Sequence, residues 1–163
     1  HALVHGFGLL YTIPSIALFV LMPLILGTSI ISPVNVLVAL TIYTMALMVR
    51  SGVDAFNAVP EHVVESSRAL GYTPARAFFT VELPLALPVL FAGIRVATVA
   101  NIAMVSVGAV IGVSSLGTLF TDGLARSIPA ELITGVVLSA VLAYLADALL
   151  ALTARRLTAW RTA

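Results

Sequence analysis

The sequence predicts an all-α integral membrane protein, a polytopic bundle of about four to five membrane helices with a helical loop between two of them. Three observations predict it. The 163 residues are 61% hydrophobic and 9% charged, whereas a soluble domain sits near half apolar and a quarter charged. Residues 6–49 contain no Asp, Glu, Lys or Arg, a run about twice the ~20 residues that one bilayer crossing needs. The charges instead gather in islands. The stretch "PEHVVESSRALGYTPARAFFTVELPLALP", residues 60–88, holds Glu61, Glu65, Arg68, Arg76 and Glu82.

Taken in order, the first expected span is Ile13–Ile31, "IPSIALFVLMPLILGTSII", followed by turn chemistry at Ser32, Pro33 and Asn35. The second runs from Val34 to Val49 and ends at Arg50. Residues 51–82 form the charged island. A third span covers Pro84–Val107, with Arg95 inside it. "IGVSSLGTLFTDGLARSIPAE" is too polar for a full crossing. Its Gly112–Gly117 portion is either a plain outer loop or a re-entrant turn, which is tolerated at membrane depth only when buried in protein or lining water. The last span is Leu132–Leu152, leading to "TARRLTAWRTA". The whole reads as one membrane domain, 1–163, with the loop at 57–83 inside it.

Four crossings place the island and the tail on one side. That side holds Arg50, Arg68, Arg76, Arg155, Arg156 and Arg161, against Arg126 on the other. The excess of arginine puts the island and tail in the cytoplasm. The N-terminus, "HALVHGFGLLYTIPS", has no initiator Met and no basic region before a cleavage site. It does not read as a signal peptide, and the chain is expected to start partway into a longer protein.

Several function classes are disfavoured. A net charge of +1 gives no electrostatic footprint for nucleic acid. There is no cysteine, and His1, His5 and His62 are too scattered for a metal cluster. All eight basic residues are Arg, so a phosphate-loop lysine and a Schiff-base lysine are both absent. A membrane-embedded protease would need Ser-His, His-Glu-x-x-His or paired aspartates within the spans. Asp147 is the only Asp well inside one. No catalytic residue, metal or cofactor is expected.

The island has its own grammar. Pro60 suits a helix start, where its missing N–H would be unpaired anyway. Glu61 suits the positive end of the helix dipole. Glu65 and Arg68, three apart, can pair on the surface for about 0.2–0.5 kcal/mol. Val63 and Leu70 fall on one face with Ser67 between them. Gly71 fits the left-handed position just past a helix end. Thr73-Pro74 is an N-cap followed by Pro in the first turn, so a second helix starts at once and runs to Leu83. Pro84 and Pro88 then bend the chain into the third span. Ser66, Ser67 and Ala69 are small enough to let another protein come close.

These residues resemble a family motif. The permease subunits of binding-protein-dependent ABC importers carry a cytoplasmic loop with Glu-Ala-Ala, three residues, Gly, nine residues, then Ile-x-Leu-Pro. Here stand Glu65-Ser66-Ser67, Gly71 and Val81-Glu82-Leu83-Pro84, with both spacings kept. The two alanines are replaced by serines and the isoleucine by Val81. "YTIPSIAL" and "ELPLALPVLFAGIR" further resemble the permeases for glycine betaine, carnitine and choline, whose members usually carry another helix before that first stretch. The resemblance implies an osmoprotectant importer subunit with no chemistry of its own, or the same machine for an amino acid or oxyanion. It implies that Glu65, Ser66, Ser67, Arg68, Ala69, Gly71, Leu83 and Pro84 couple the loop to cytoplasmic ATPase subunits, which bind the ATP. It also implies a second permease copy, identical or not, and an extracytoplasmic solute-binding protein, all in a bacterial cell membrane.

The polar residues of the spans carry two readings each. Arg95, about 16 Å along a helix from Pro84, either faces the pathway or pairs with a neighbouring helix. Asp147 is either functional or satisfied near the cytoplasmic end by Arg155 or water. Thr98, Asn101 and Ser106 either line the pathway or make interhelical hydrogen bonds. Aromatic residues are 7% of the chain and form no cluster resembling a quaternary-ammonium cage. High-affinity selection is therefore expected on a partner.

Overall fold

The structure, a computed structural model, describes residues 15–161. The start of the first expected span, and the first half of "YTIPSIAL", lie outside them. Among the described residues every regular element is helical and there is no strand. Three helices among these residues are long and apolar enough to cross a membrane, and one shorter apolar helix accompanies them.

That shorter helix, α1 (Ser15–Leu26), ends sooner than the expected span. Gly27 takes φ +65°, a conformation that closes a helix and that glycine adopts without steric penalty. Residues 28–32 form the turn. Asn35, expected as a turn residue, instead lies fully buried in the first turn of α2 (Pro33–Asn57). Its amide donates to the Ser29 carbonyl at 2.8 Å, and its carbonyl oxygen accepts from the Thr28 hydroxyl. One buried side chain thus satisfies the loop's polar groups, as burial demands.

α2 does not stop at Arg50. It continues through "SGVDAFN" to Asn57, because nothing there breaks a helix until Pro60. Hydropathy marks where the apolar stretch ends, not where the helix ends. Leu18, Phe19 and Met22 of α1 meet Val36, Ala39 and Leu40 of α2, with Val113, in the main buried cluster.

The island follows as α3 (Glu61–Ala69), α4 (Pro74–Ala77) and a π-turn at Phe78–Glu82 that runs directly into α5 (Leu83–Val107). Through Pro84 and Pro88, where a bend is expected, one continuous helix runs from Pro74 to Ile111. The widened turn, with Leu83 N–H donating to the Phe78 carbonyl, sits immediately before Pro84. Pro84 cannot donate and crowds the carbonyl four residues back, and a π-turn there absorbs the mismatch without a break.

α5 packs against α2 on one side and α7 (Pro129–Leu157) on the other. Gly93 lets α2 approach: a Cβ there would lie 2.5 Å from Cβ of Ser51. Between α5 and α7 the chain makes a 3-10 turn, a left-handed Gly112, and the short helix α6 (Thr118–Ala125). Its 8 residues reach only about 12 Å, so this polar segment does not cross. α6 folds back onto the end of α5 and the start of α7. Gly117 and Gly135 allow it, meeting the Ser106 backbone and the Leu119 and Phe120 side chains respectively.

Much of the apolar surface stays open. Val136, Val137, Val141, Leu145 and Leu149 of α7 are exposed, as suits a helix whose neighbours are lipid or another subunit.

Candidate functional site

Two regions concentrate the chemistry: the island at one end of the bundle and a set of polar residues inside it. In the island, α3 begins at Glu61, with Pro60 as the flanking cap rather than the first helical residue. Its end is a Schellman closure. Gly71, at φ +82°, donates to the Arg68 carbonyl at 2.9 Å, and Tyr72 N–H donates to the Ser67 carbonyl at 3.2 Å. The side chain of Thr73 then caps the next helix by accepting from Arg76 N–H.

Glu65, Ser66, Arg68, Ala69 and Gly71 are all exposed. Ser67 is not: it is buried, with its hydroxyl donating to the Val64 carbonyl at 2.7 Å. Of the small residues expected to admit a partner, Ser67 is instead covered within the chain, where α3 packs against α4 and the π-turn. Glu65 and Arg68 do not pair, since Arg95–Asp147 is the only ion pair among the described residues. Both charges are left to the solvent or a partner. Leu70 does not share a packed face with Val63. It is 78% exposed, because as the cap residue it has left the helical register. With Phe79 it gives the island an open apolar element that a seven-residue spacing does not reveal.

The island is fastened to the bundle by rings. Phe56 at the end of α2 stacks on Phe78 of the π-turn at 5.5 Å, and Phe78 meets Phe79 edge-on at 5.1 Å. The Arg76 guanidinium lies 4.4 Å from the centre of the Tyr72 ring. Leu83 and Pro84 are half-buried where the loop becomes α5. Trp160, just past α7, shares a recess with Ala58, Pro60, Leu85, Pro88 and Val89. Island and tail therefore lie at the same end of the bundle, as four crossings require.

Inside the bundle, Arg95 and Asp147 find each other across 52 residues of sequence. Arg95 Nε and Nη2 each donate to one Asp147 oxygen at 2.7 Å, a bidentate fork. The sequence alone gives Asp147 Arg155 or water as partner, and the structure corrects this: the partner is Arg95. α7 extends about ten residues beyond it to Leu157, so it sits about 15 Å from that end. Arg95 lies about 18 Å from Leu83, midway along α5, while Asp147 lies nearer the C-terminal end of α7. Thr98 donates to the Ile94 carbonyl and Ser106 to the Ile102 carbonyl, both within α5. Asn101 instead crosses to α2, its amide donating to Thr44 Oγ1 at 2.7 Å. The four expected pathway residues therefore divide: two are satisfied by their own helix, and two bind a neighbouring one. Among the described residues no cluster of His, Cys, Asp or Glu could hold a metal.

The model of one family, the binding-protein-dependent transport system inner membrane component, matches residues 6–159. The chain belongs to this family. As a permease component it is a transport subunit of the ABC importer type, and its fold agrees. The chain is 41% identical over 145 residues to the osmoprotectant import permease protein OsmW of Salmonella typhimurium, covering 87% of this chain and 67% of that protein. It is 34% identical over 151 residues to the choline transport system permease protein OpuBB of Bacillus subtilis, covering 93% and 68%. Similarity to the ergothioneine transport permease/ergothioneine binding protein EgtU of Helicobacter pylori is 37% over 138 residues, 85% of this chain but only 24% of that protein. Among solved structures, a chain of the inward-facing MetNI methionine ABC transporter superposes with a TM-score of 0.81 at 28% identity, covering 96% of this chain and 73% of that one. This permease chain thus spans about a quarter of EgtU and about two thirds of the osmoprotectant and choline relatives.

Proposed function

We propose that this chain is the translocating part of an ATP-driven importer for osmoprotectants such as glycine betaine, choline or carnitine. The observation that carries the reading is the exposed helix α3 (Glu61–Ala69), closed by the left-handed Gly71 and followed after a two-residue turn by the helix that runs on from Pro74 into the membrane-crossing stretch. Force applied to α3 by a partner reaches α5 through the π-turn and Pro84. The solutes in the relatives' names support the substrate class.

In this reading the chain has no cofactor and no catalytic residue. Separate cytoplasmic ATPase subunits hold ATP and grip Glu65, Ser66, Arg68, Ala69 and Gly71, while Ser67 stays covered within the chain and Leu83 and Pro84 pass the helix's movement on. A second permease copy completes the pathway, and a solute-binding protein delivers the solute from outside. The island and the Arg155–Arg161 tail face the cytoplasm. Arg95 and Asn101 are the pathway candidates that also join helices. Thr98 and Ser106 contribute hydroxyls already bonded to their own backbone. Transport then follows from rigid-body rocking of the bundles.

A second reading, the same machine for another solute, is favoured by the likeness to the methionine transporter and to the ergothioneine protein. Uptake separates the two. In salt-stressed cells lacking the full-length gene and other uptake routes, restoring it should restore entry of labelled glycine betaine, choline or carnitine. Restoration of methionine or ergothioneine uptake alone would overturn the osmoprotectant reading and leave the importer intact.

A further inference from the structure

Coupling to an ATPase gives Arg95 and Asp147 no task. Their side chains remain 40% and 31% exposed in the single chain, although both lie inside helices long and apolar enough to cross a membrane. Charged groups at that depth face protein or water rather than lipid. Beside them lies a groove lined by Ala92, Val96, Val99 and Ala100, whose short side chains leave the space open. The fork uses Arg95 Nε and one N–H of Nη2. The second N–H of Nη2 and both of Nη1 remain, and each Asp147 oxygen keeps accepting capacity. The pair thus presents donors next to acceptors with no net charge.

We propose that this pair and its groove form a transient subsite for a zwitterionic solute, a quaternary ammonium carboxylate of the betaine class. The proposal deepens the importer reading and rests on it. The solute's carboxylate accepts from the outward N–H groups of Arg95, and its cationic head lies against Asp147. Two dipoles then align antiparallel. A lone buried cation would hold one end of such a solute and repel the other. A neutral pair engages both ends weakly, and a pathway needs binding strong enough to enter and weak enough to leave. The bidentate fork fixes the donors in advance, so little reorganisation accompanies binding. The groove lining contains no aromatic ring, in keeping with weak passage rather than tight capture. A cation without a carboxylate, such as choline, engages only the Asp147 half.

The test compares glycine betaine and choline uptake by the full-length transporter with its partners, in cells without other uptake routes, at matched amounts in the membrane. R95Q removes the positive half and is expected to lower the betaine-to-choline ratio about tenfold, the scale of one charge contact in a partly wetted site. D147N is expected to raise that ratio by lowering choline uptake more than betaine uptake. Equal loss of both solutes in both variants would reduce the pair to a helix clamp and overturn the proposal. A92L narrows the groove while keeping both charges, so it tests the site even where the charge variants fail to insert. It is expected to lower uptake of both solutes about tenfold, and wild-type uptake in A92L would also overturn the subsite. Failure of the wild-type transporter to carry either solute would sink the osmoprotectant reading together with this proposal. An unchanged ratio in a working transporter sinks this proposal alone.

Discussion

Gly71→Leu and Glu65→Lys should each abolish solute uptake while the protein still inserts in the membrane. The two substitutions act differently. Gly71 sits at φ +82° with open space around it, so the damage from leucine is conformational. An L-residue held there costs about 1–2 kcal/mol, and relief of that strain opens the Schellman closure that sets α3 against α4. Glu65 is exposed and makes no ion pair. Charge reversal there removes nothing from the fold, so loss of transport would report loss of a partner contact. Neither residue lies in a membrane-crossing helix, which is why insertion should survive. Uptake assays with matched immunoblots of the membrane fraction check both, and wild-type uptake in either variant would count against the coupling role.

Gly117→Ala should be the most destabilising glycine-to-alanine substitution among the described residues. An added Cβ would lie 1.9 Å from the carbonyl oxygen of Ser106 and within 2.8 Å of that residue's C and Cα. All three are backbone, so no side chain can swing away. The φ of −65° already suits alanine, and the penalty is therefore purely steric. Overpacking a tight site costs about 1–3 kcal/mol, and a rigid backbone neighbour places this case at the upper end. α6 must lift off the end of α5, loosening its seat on α7. Gly52→Ala is the control: nothing lies within 4 Å, and alanine should stabilise α2 by roughly 0.5–1 kcal/mol. Thermal unfolding of the detergent-solubilised protein should show a clear drop for G117A and none for G52A. A G117A protein that melts with wild type would contradict the close approach.

What composition and local chemistry control was legible in the sequence. Charge-free runs locate the spans because lipid tolerates so few ionised groups. Gly71 and Thr73-Pro74 locate the helix ends because capping depends on single residues and their immediate neighbours. What depends on distance was not legible. Arg95 and Asp147 are 52 positions apart, and no local pattern joins them. The pairing of Asn101 with Thr44 escapes for the same reason. α2 runs on beyond Arg50 because "SGVDAFN" is polar without being a helix breaker. The π-turn before Pro84 has no local signal either, since a helix can absorb a proline by widening one turn. Leu70 leaves the face it would share with Val63 because that face assumes helix through Leu70, where the chain has already begun its cap.

The central claim is that α3 is the cytoplasmic docking helix through which ATP hydrolysis moves the bundle. A single introduced thiol tests it most directly, because these 163 residues contain no cysteine. Ser66 is exposed, and its hydroxyl bonds only its own helix, at the His62 carbonyl, so Ser66→Cys should leave the fold intact. A thiol-directed bifunctional crosslinker applied to inside-out membrane vesicles should join the new thiol of this variant to the ATPase subunit. An impermeant thiol reagent added outside intact cells should leave the same thiol unlabelled. Labelling from outside, or no crosslink in a transporter that still carries solute, would contradict the claim.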